Sequence, residues 1–444
     1  MTQHVSVADM SMPHRLASAT VTVTDAAGAA RPNADLVVRQ LGHDFLFGNI
    51  LFDYIDWANA VSTSPVSTGS TGVVGGSAGV SPATGRATSS TTDLARDEAE
   101  LAAWRELFNF GTLPFYWRYF EPVPGAPDTR RLLTAARRFQ SMGIALKGHP
   151  LAWHTLAPKW LLDGTTADTE RTLRARITRD VTDFAGLVDV WDAINEAVIM
   201  PVFEAEANAV TPLCRAKGRI ATVRLAFEVA RSANQHATLL INDFDLSSAY
   251  ECLIEGVLAA GVKIDAIGLQ THMQQGYRGD EAIAAMLERF ARYGLPLHMT
   301  EASLVSGHLM PPEIVDLNDY QVDEWPSTTD GEARQAGEIV SFYRTVLAQP
   351  AVEAVTYWGL TDRTAWLHAP IGLLRADGTP KPAYDALHGL IKGLWWVPAT
   401  PVTTDDAGRF ELTGFKGDYE VVDVAGQGTA GFHLGTSAAV NTVL

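Results

Sequence analysis

Residues 144–153, IALKGHPLAW, and residues 188–197, VDVWDAINEA, decide the fold. Each starts as the short apolar run that a buried strand needs, and each ends in polar side chains that are unusual at core positions. The first closes on Lys147, His149, Trp153 and His154, the second on Asn195 and Glu196. Six more runs of the same character lie on either side: FLFGNI (45–50), FNFGTLPF (108–115), ATLLINDF (237–244), AIGLQTHM (266–273), LPLHMTEA (295–302) and AVTYWGL (354–360). Amphipathic stretches with helical spacing alternate with them, among them LARDEAELAAWREL (94–107), TRRLLTAARRFQSM (129–142), TERTLRARITRDVTDFA (169–185), KGRIATVRLAFEVARSA (217–233), DEAIAAMLERFARYG (280–294) and DGEARQAGEIVSFYRTVL (330–347). Eight alternating units of this kind predict an α/β fold, a parallel (β/α)8 TIM barrel. A doubly wound open sheet is the alternative, weakened because no Gly-x-Gly-x-x-Gly turn follows a first strand.

The two ends of the chain read differently. Between Ala19 and Gln40, ATVTVTD and DLVVRQ flank a Gly/Pro/Asn-containing link, the pattern of two strands around a turn. Near the C-terminus GRFELTGF and DYEVVDVAG repeat the pattern. The division this predicts is an N-terminal β segment (1–44), a catalytic barrel (45–394) and a C-terminal β segment (395–444), the two ends pairing into one small accessory β-sandwich. Trp395 and Trp396 are expected to seal its contact with the barrel. From about residue 62 to 92 the sequence is almost wholly Ser, Thr, Gly, Val, Ala and Pro. Such a stretch lacks the large apolar side chains that offset ordering entropy, so a mobile surface loop is expected there, with an active-site lid as the other possibility.

A formal charge of −17 and a pI of about 5.1 disfavour nucleic acid and anionic lipid as partners. The two cysteines, Cys214 and Cys252, cannot supply a disulfide framework or a cysteine zinc site. MTQHVSVADMSMPHRL at the start has no apolar run long enough for a signal-peptide core, and no stretch has the length of a membrane span, so a soluble, cytoplasmic protein is expected, with a secreted one as the alternative if a leader has been removed. The sequence carries no signal for an oligomeric state.

Barrel chemistry sits at the C-terminal ends of the strands. Here those ends carry Lys147, His149, Asn195, Glu196, Asn242, Asp243, Gln270, His272, Glu301, Trp358 and Asp362. Two carboxylates on opposite strands, among imidazoles, amides and indoles, suit hydrolysis of a glycosidic bond. One protonates the leaving oxygen while the other attacks or stabilises the oxocarbenium-like carbon. Indole faces suit pyranose rings, amides and imidazoles suit hydroxyls, and neither cofactor nor metal is needed. His149, His154, His272 and His298 raise the alternative of a metal-dependent hydrolase. His149 and His154 lie five residues apart, on opposite faces of a regular strand, and no helical His-Glu-x-x-His pair occurs.

WDAINEA (191–197) resembles the acid/base signature of glycoside hydrolase family 10, and LHMTEAS (297–303) resembles its nucleophile strand. The resemblance runs in order from LFGN (46–49) through GHPLAWH, LLINDF, IGLQTHM and TYWGLTDRTAWL to GLLRADGTPKPAYDAL (372–387). It implies a retaining β-glycoside hydrolase with Glu196 as acid/base, Glu301 as nucleophile and a carbohydrate or small glycoside as substrate. It also implies Asn195 on the sugar 2-hydroxyl, His149 and Trp153 shaping the −1 subsite, and Gln270 and His272 beside Glu301. Trp358 and Trp366 would wall the sugar, and Lys147 would join the substrate-binding set. Retaining enzymes hold their carboxylates about 5–5.5 Å apart, and the acid/base is raised in pKa while the nucleophile stays ionised.

Three departures qualify the substrate. Where family xylanases carry Glu-Asn-x-Met-Lys-Trp, this chain has Thr112, Leu113, Pro114, Phe115, Tyr116 and Trp117. The usual Gln three residues after Trp153 is Leu156, and the usual Asp two residues beyond the nucleophile is Ser303. Tyr116, Trp117 and Ser303 thereby become further candidates for substrate contact. A reshaped, less polar −2 side is expected, favouring β-xylosides, xylo-oligosaccharides or a short, partly apolar β-glycoside. An ordinary endo-β-1,4-xylanase and a catalytically inactive carbohydrate-binding protein are the alternatives.

Overall fold

The computed structural model describes residues 2–63, 91–426 and 428–444. The Ser/Thr/Gly-rich stretch expected over about 62–92 falls almost wholly outside these residues. Each apolar run of the central region forms a strand: β1 (Leu46–Ile50), β2 (Phe110–Pro114), β3 (Ala145–His149), β4 (Val190–Asn195), β5 (Thr238–Asp243), β6 (Ala266–Leu269), β7 (Leu297–Leu304) and β8 (Val352–Tyr357). All neighbours pair in parallel in sequence order, and β8 returns to β1 through Ala354↔Leu46 to Tyr357↔Asn49. Because β7 pairs with both β6 and β8, the sheet closes, and the open-sheet alternative falls.

The helices cover the barrel with the faces that their periodicity marks. In Thr129–Ser141, Leu132, Ala135, Ala136 and Phe139 are buried, one apolar stripe at i, i+3, i+4 and i+7. Thr166–Asp183 opens on a capping box, the Thr165 hydroxyl taking the Asp168 N–H while the Asp168 carboxylate takes that of Thr165. Ser248–Ala259, which the sequence pattern does not single out, supplies the helix between β5 and β6. Inside, Trp191 lies directly on Gly148, where a Cβ would stand 2.2 Å from the indole; only glycine lets β3 and β4 pack here. Among the described residues no helix is long and apolar enough to cross a membrane.

The two chain ends form two four-stranded sheets outside the barrel. One has the order His4–Ser6, Arg409–Phe415, Leu16–Thr24, Ala439–Val443; the other Thr400–Thr403, Asp35–Gln40, Gly417–Asp423, Thr429–Leu434. Each sheet mixes both ends, as the accessory sandwich requires. The expected pairing of Ala19–Asp25 with Asp35–Gln40 as a hairpin is corrected, because those strands lie in different sheets. Their inward stripes explain why: Ala19, Val21 and Val23 on one strand and Leu36 and Val38 on the other are all buried, so the link carries the chain across the core. The C-terminal pair crosses in the same way between Phe415 and Gly417.

Trp395 joins sandwich to barrel. It is fully buried, stacked over Phe47 at 6.3 Å and tilted on Phe415 at 6.2 Å, with its Nε1–H donating to Asp9 Oδ2 at 3.2 Å. Arg15 caps the C-terminus of helix Thr329–Ala348, donating to the Leu347 and Gln349 carbonyl oxygens at 3.1 and 2.7 Å.

Gly417 has φ +153°, and a Cβ there would stand 2.1 Å from the Gly42 carbonyl oxygen. Gly417→Ala is therefore expected to cost about 2 kcal/mol or more of stability. Urea unfolding checks this; an unchanged midpoint would remove Gly417 from the account of the crossover.

Candidate active site

The polar strand ends meet at one mouth of the barrel. Glu196 directly follows β4 with φ +56°, a left-handed backbone that a glutamate adopts at a cost. A register shift in β4 between Asp192 and Ile194 precedes it, and the Glu196 N–H donates to the Asn242 carbonyl oxygen at 2.8 Å. The side chain is held by two donors, Trp153 Nε1–H to Oε2 at 2.7 Å and Asn195 Nδ2–H to Oε1 at 3.2 Å.

Glu301 lies in β7, a strand buried along its whole length, where the register with β8 shifts between Met299 and Ala302. Asn242 Nδ2–H donates to its Oε1 at 3.0 Å, and His272 Nε2 lies 3.1 Å from its Oε2. Asn242 also donates to Asn195 Oδ1 at 2.8 Å, so a chain of amides connects the two glutamates. Gln270 Nε2–H donates to the same Asn195 oxygen at 3.0 Å. Thr300 Oγ1–H donates to Asn242 Oδ1 at 2.6 Å, fixing which way the amide points.

Burial raises both carboxyls, and their neighbours then separate them. Glu196 is pushed up to about 8: burial comes first, the Trp153 N–H opposes it, and the fields of Glu301 and Asp243 add to it. Asp243 is itself raised to about 7 by burial, despite the N–H groups of Val198 and Asp245. At Glu301 burial alone would raise the pKa, but His149, the hydrogen bond and charge of His272, and Lys147 together hold it below the usual carboxylate range. One carboxyl is therefore protonated at neutral pH and the other ionised, the division that acid-plus-nucleophile chemistry requires.

Behind these groups sits a buried ion pair. Asp192 Oδ2 lies 2.9 Å from Lys147 Nζ and 2.7 Å from His149 Nδ1. Burial would raise Asp192, yet these two neighbours hold it at about 2. Around the mouth the aromatic rings make a wall. Trp358 meets His149 edge-on at 5.3 Å and Phe52 at 5.7 Å; Tyr116 meets His149 at 5.6 Å, Trp153 at 5.8 Å and Phe52 at 5.7 Å; Trp366 lies 5.0 Å from His272. Burial and the fields of Glu301, Glu196 and Asp192 push the Tyr116 phenol well above its ordinary value, so it remains a neutral O–H donor.

Glu196, Glu301, His149, Trp153, Asn195, Gln270, His272, Trp358, Trp366 and Tyr116 are thus brought together. Trp117 is not, and its candidacy is corrected: it is buried, with its Nε1–H donating to Glu121 Oε2 at 3.1 Å and the Arg176 guanidinium over its ring at 4.8 Å. Ser303 is fully buried, with Oγ 3.2 Å from His272 Nδ1, so it supports that ring instead of meeting a ligand. Lys147 is likewise buried against Asp192 and acts through charge. His154 packs against Phe203 at 4.2 Å with its Nε2 3.8 Å from Glu196 Oε2, and His298 meets Phe110 edge-on at 6.5 Å; among the described residues no group of three or more His, Cys, Asp or Glu is placed to hold a metal ion. Asp192 and Phe52 are absent from the sequence reading of the site, and Asn242 appears there as a strand-end residue without an assigned role. WDAIN and LLIND mark Asp192 and Asn242 as polar groups on otherwise apolar strands, whereas nothing local marks Phe52.

The family model described as "Glycosyl hydrolase family 10" matches residues 127–389. The endo-1,4-beta-xylanase 5 of Pyricularia oryzae is 28% identical over 330 residues, covering 68% of this chain and 75% of that protein. The endo-1,4-beta-xylanase 3 of Hypocrea jecorina is 26% identical over 262 residues, covering 57% of this chain and 66% of that protein. Among solved structures, xylanase 10B from Thermotoga petrophila in complex with xylobiose superposes with a TM-score of 0.58 at 21% identity, covering 79% of this chain and 94% of that one. The match to this structure bears on the fold.

Because the Trp153 N–H lowers the Glu196 pKa, Trp153→Phe should raise it above about 8. A pH titration of 13C-carboxyl-labelled glutamate by NMR reads this directly; an unmoved Glu196 resonance would mean that the indole contact carries no electrostatic weight.

Proposed function

Because the chain belongs to glycosyl hydrolase family 10, we propose that it is a retaining β-glycoside hydrolase with Glu301 as nucleophile and Glu196 as acid/base. The observation that carries this reading is a pair of glutamates joined through the Asn195 and Asn242 amides, whose surroundings push Glu196 up and Glu301 down. In the first step a Glu301 oxygen attacks the anomeric carbon as the glycosidic bond breaks, and the Glu196 proton goes to the departing oxygen. The products are the free aglycone alcohol, a glycosyl ester on Glu301 and an ionised Glu196. Glu196 then takes a proton from water, the hydroxide oxygen bonds to the anomeric carbon, and Glu301 leaves as carboxylate.

The neighbours have matching duties. One hydrogen of the Asn195 amide is committed to Glu196, which leaves the other for the sugar 2-hydroxyl. His272 holds Glu301 Oε2, so that Oε1 and Oε2 are both oriented before substrate arrives.

The substrate is proposed to be a β-xyloside, a xylo-oligosaccharide or another short, partly apolar β-glycoside. Two observations favour this over polymeric xylan. The family match begins at residue 127, beyond β1 and β2, so the segment carrying Tyr116 lies outside it. Phe52 and Tyr116 of that segment, together with Trp358, enclose the glycone side with aromatic edges instead of charged donors. The names of the relatives favour the second reading, an endo-1,4-β-xylanase. Rates on aryl β-xyloside, aryl β-xylobioside and polymeric xylan decide between them. The first reading predicts that the xyloside is cleaved at least as well as the xylobioside and xylan poorly; efficient xylan cleavage would sink it.

The pKa pattern gives the expected pH dependence. Activity requires Glu196 protonated and Glu301 ionised, so kcat/KM should fall as pH rises through about 8 and fall again only below the usual glutamate range. Glu196→Gln should lower kcat/KM by about 10²–10⁴ on substrates with poor leaving groups and abolish the alkaline limb. An alkaline limb retained in that variant would assign the proton to another group.

A further inference from the structure

Apart from the main core, the structure holds a second, smaller apolar cluster built on Val305, Met310, Trp325, Ala369 and Ile371. It joins the loop after β7 to the loop after β8. Trp325 closes the first loop on itself, donating its Nε1–H to the His308 carbonyl oxygen at 2.7 Å. Ser306 ties the two loops together, its N–H and Oγ–H reaching the Pro370 carbonyl oxygen at 2.9 and 2.7 Å.

The second loop enters this cluster in an unusual way. Ala365, Leu367, Ala369 and Ile371 all pack into it, so every second residue points inward although the segment is not a strand. Trp366, between two of them, has its ring 5.0 Å from His272, the side chain that holds Glu301 Oε2. The backbone achieves this with two consecutive left-handed residues, Leu367 at φ +61° and His368 at φ +54°. A leucine adopts that conformation under strain, where glycine or asparagine would adopt it freely. The turn's own preference therefore does not account for leucine; its packing against the cluster does.

We infer that the cluster is a positioning device, in which Trp325 and Leu367 hold the Trp366 ring against His272 and so set affinity for the sugar without touching it. The inference rests on the proposed role of Trp366 as a wall of the sugar site. Loss of either anchor frees the Trp366 turn, and the ring then has to be ordered by the substrate itself. That cost falls on binding the sugar and is not recovered selectively in the transition state, so it appears in KM and not in kcat.

Trp325→Leu and Leu367→Ala test this with an aryl β-glycoside that the wild-type protein cleaves. Each should raise KM about five- to ten-fold with kcat within about two-fold, and Leu367→Met should restore KM. In a Trp366→Ala background the same substitutions should have no further effect, because the residue they act through is gone. Unchanged KM in both single variants, or effects that add in full to Trp366→Ala, would overturn the inference; full addition is the mark of general loosening. A second measurement is independent of turnover. In 5-fluorotryptophan-labelled protein, the 19F resonance absent from Trp366→Phe should shift or broaden in Leu367→Ala, and an unmoved resonance also overturns the inference. A wild-type protein that cleaves no β-glycoside would instead count against the proposed function, leaving the resonance to judge the cluster.

Discussion

A single buried amide, Nδ2 of Asn242, donates to both halves of the site, to Asn195 Oδ1 at 2.8 Å and to Glu301 Oε1 at 3.0 Å. Its orientation is not free. Thr300 donates to Oδ1 from one side, and a Cβ at Gly268 would stand 2.5 Å from the same oxygen, so no side chain could share that space. Once Asn242 is fixed, the rest follows by the counting of donors and acceptors. Asn195 must present its oxygen to Asn242 and Gln270, and its amide hydrogens then face Glu196 and the open mouth. In a low-dielectric interior such a network is rigid, because any misorientation leaves a buried group without a partner.

The same economy governs charge. Both glutamates suffer desolvation, and that penalty alone would leave two neutral acids. What separates them is the company each keeps: His149, His272 and Lys147 around Glu301, Asp243 and Glu301 itself around Glu196. Asp192 makes this arrangement possible. It neutralises Lys147 at close range and orients His149 through Nδ1, so positive charge can stand beneath Glu301 without being left unpaired in the barrel. The proposed nucleophile and the proposed acid thus differ chiefly in their neighbours.

How much of this was legible in the sequence depends on whether the signal is local. Closed-barrel topology followed from eight apolar runs separated by helical periods, and the polar residues ending those runs do gather at one mouth. The accessory sandwich was legible as β-rich ends, but its pairing was not: Val21 and Val38 look like hairpin partners in sequence, and only the shared core between two sheets places them opposite each other. Trp117 reads as an active-site aromatic because it aligns with the Trp of the family segment, yet it turns away from Tyr116 towards Arg176 and Glu121. Asn242 at the end of β5 and Asp192 inside β4 carry the right chemistry but contact the site through long-range pairing that no spacing encodes. Phe52 and the cluster around Trp325 lie in loops, where side-chain direction depends on tertiary contacts.

The central claim is that Glu301 forms a bond to the sugar while Glu196 handles the proton. It is tested most directly by incubating the protein with a 2-deoxy-2-fluoro β-glycoside bearing a good leaving group, then measuring intact mass and mapping the modified peptide. The fluorine destabilises the oxocarbenium-like transition state of both steps, and the activated leaving group keeps formation of the ester faster than its breakdown. The account predicts one glycosyl unit per chain, attached to Glu301. An adduct on another residue, or turnover of the same glycoside with no adduct at any time, would contradict it.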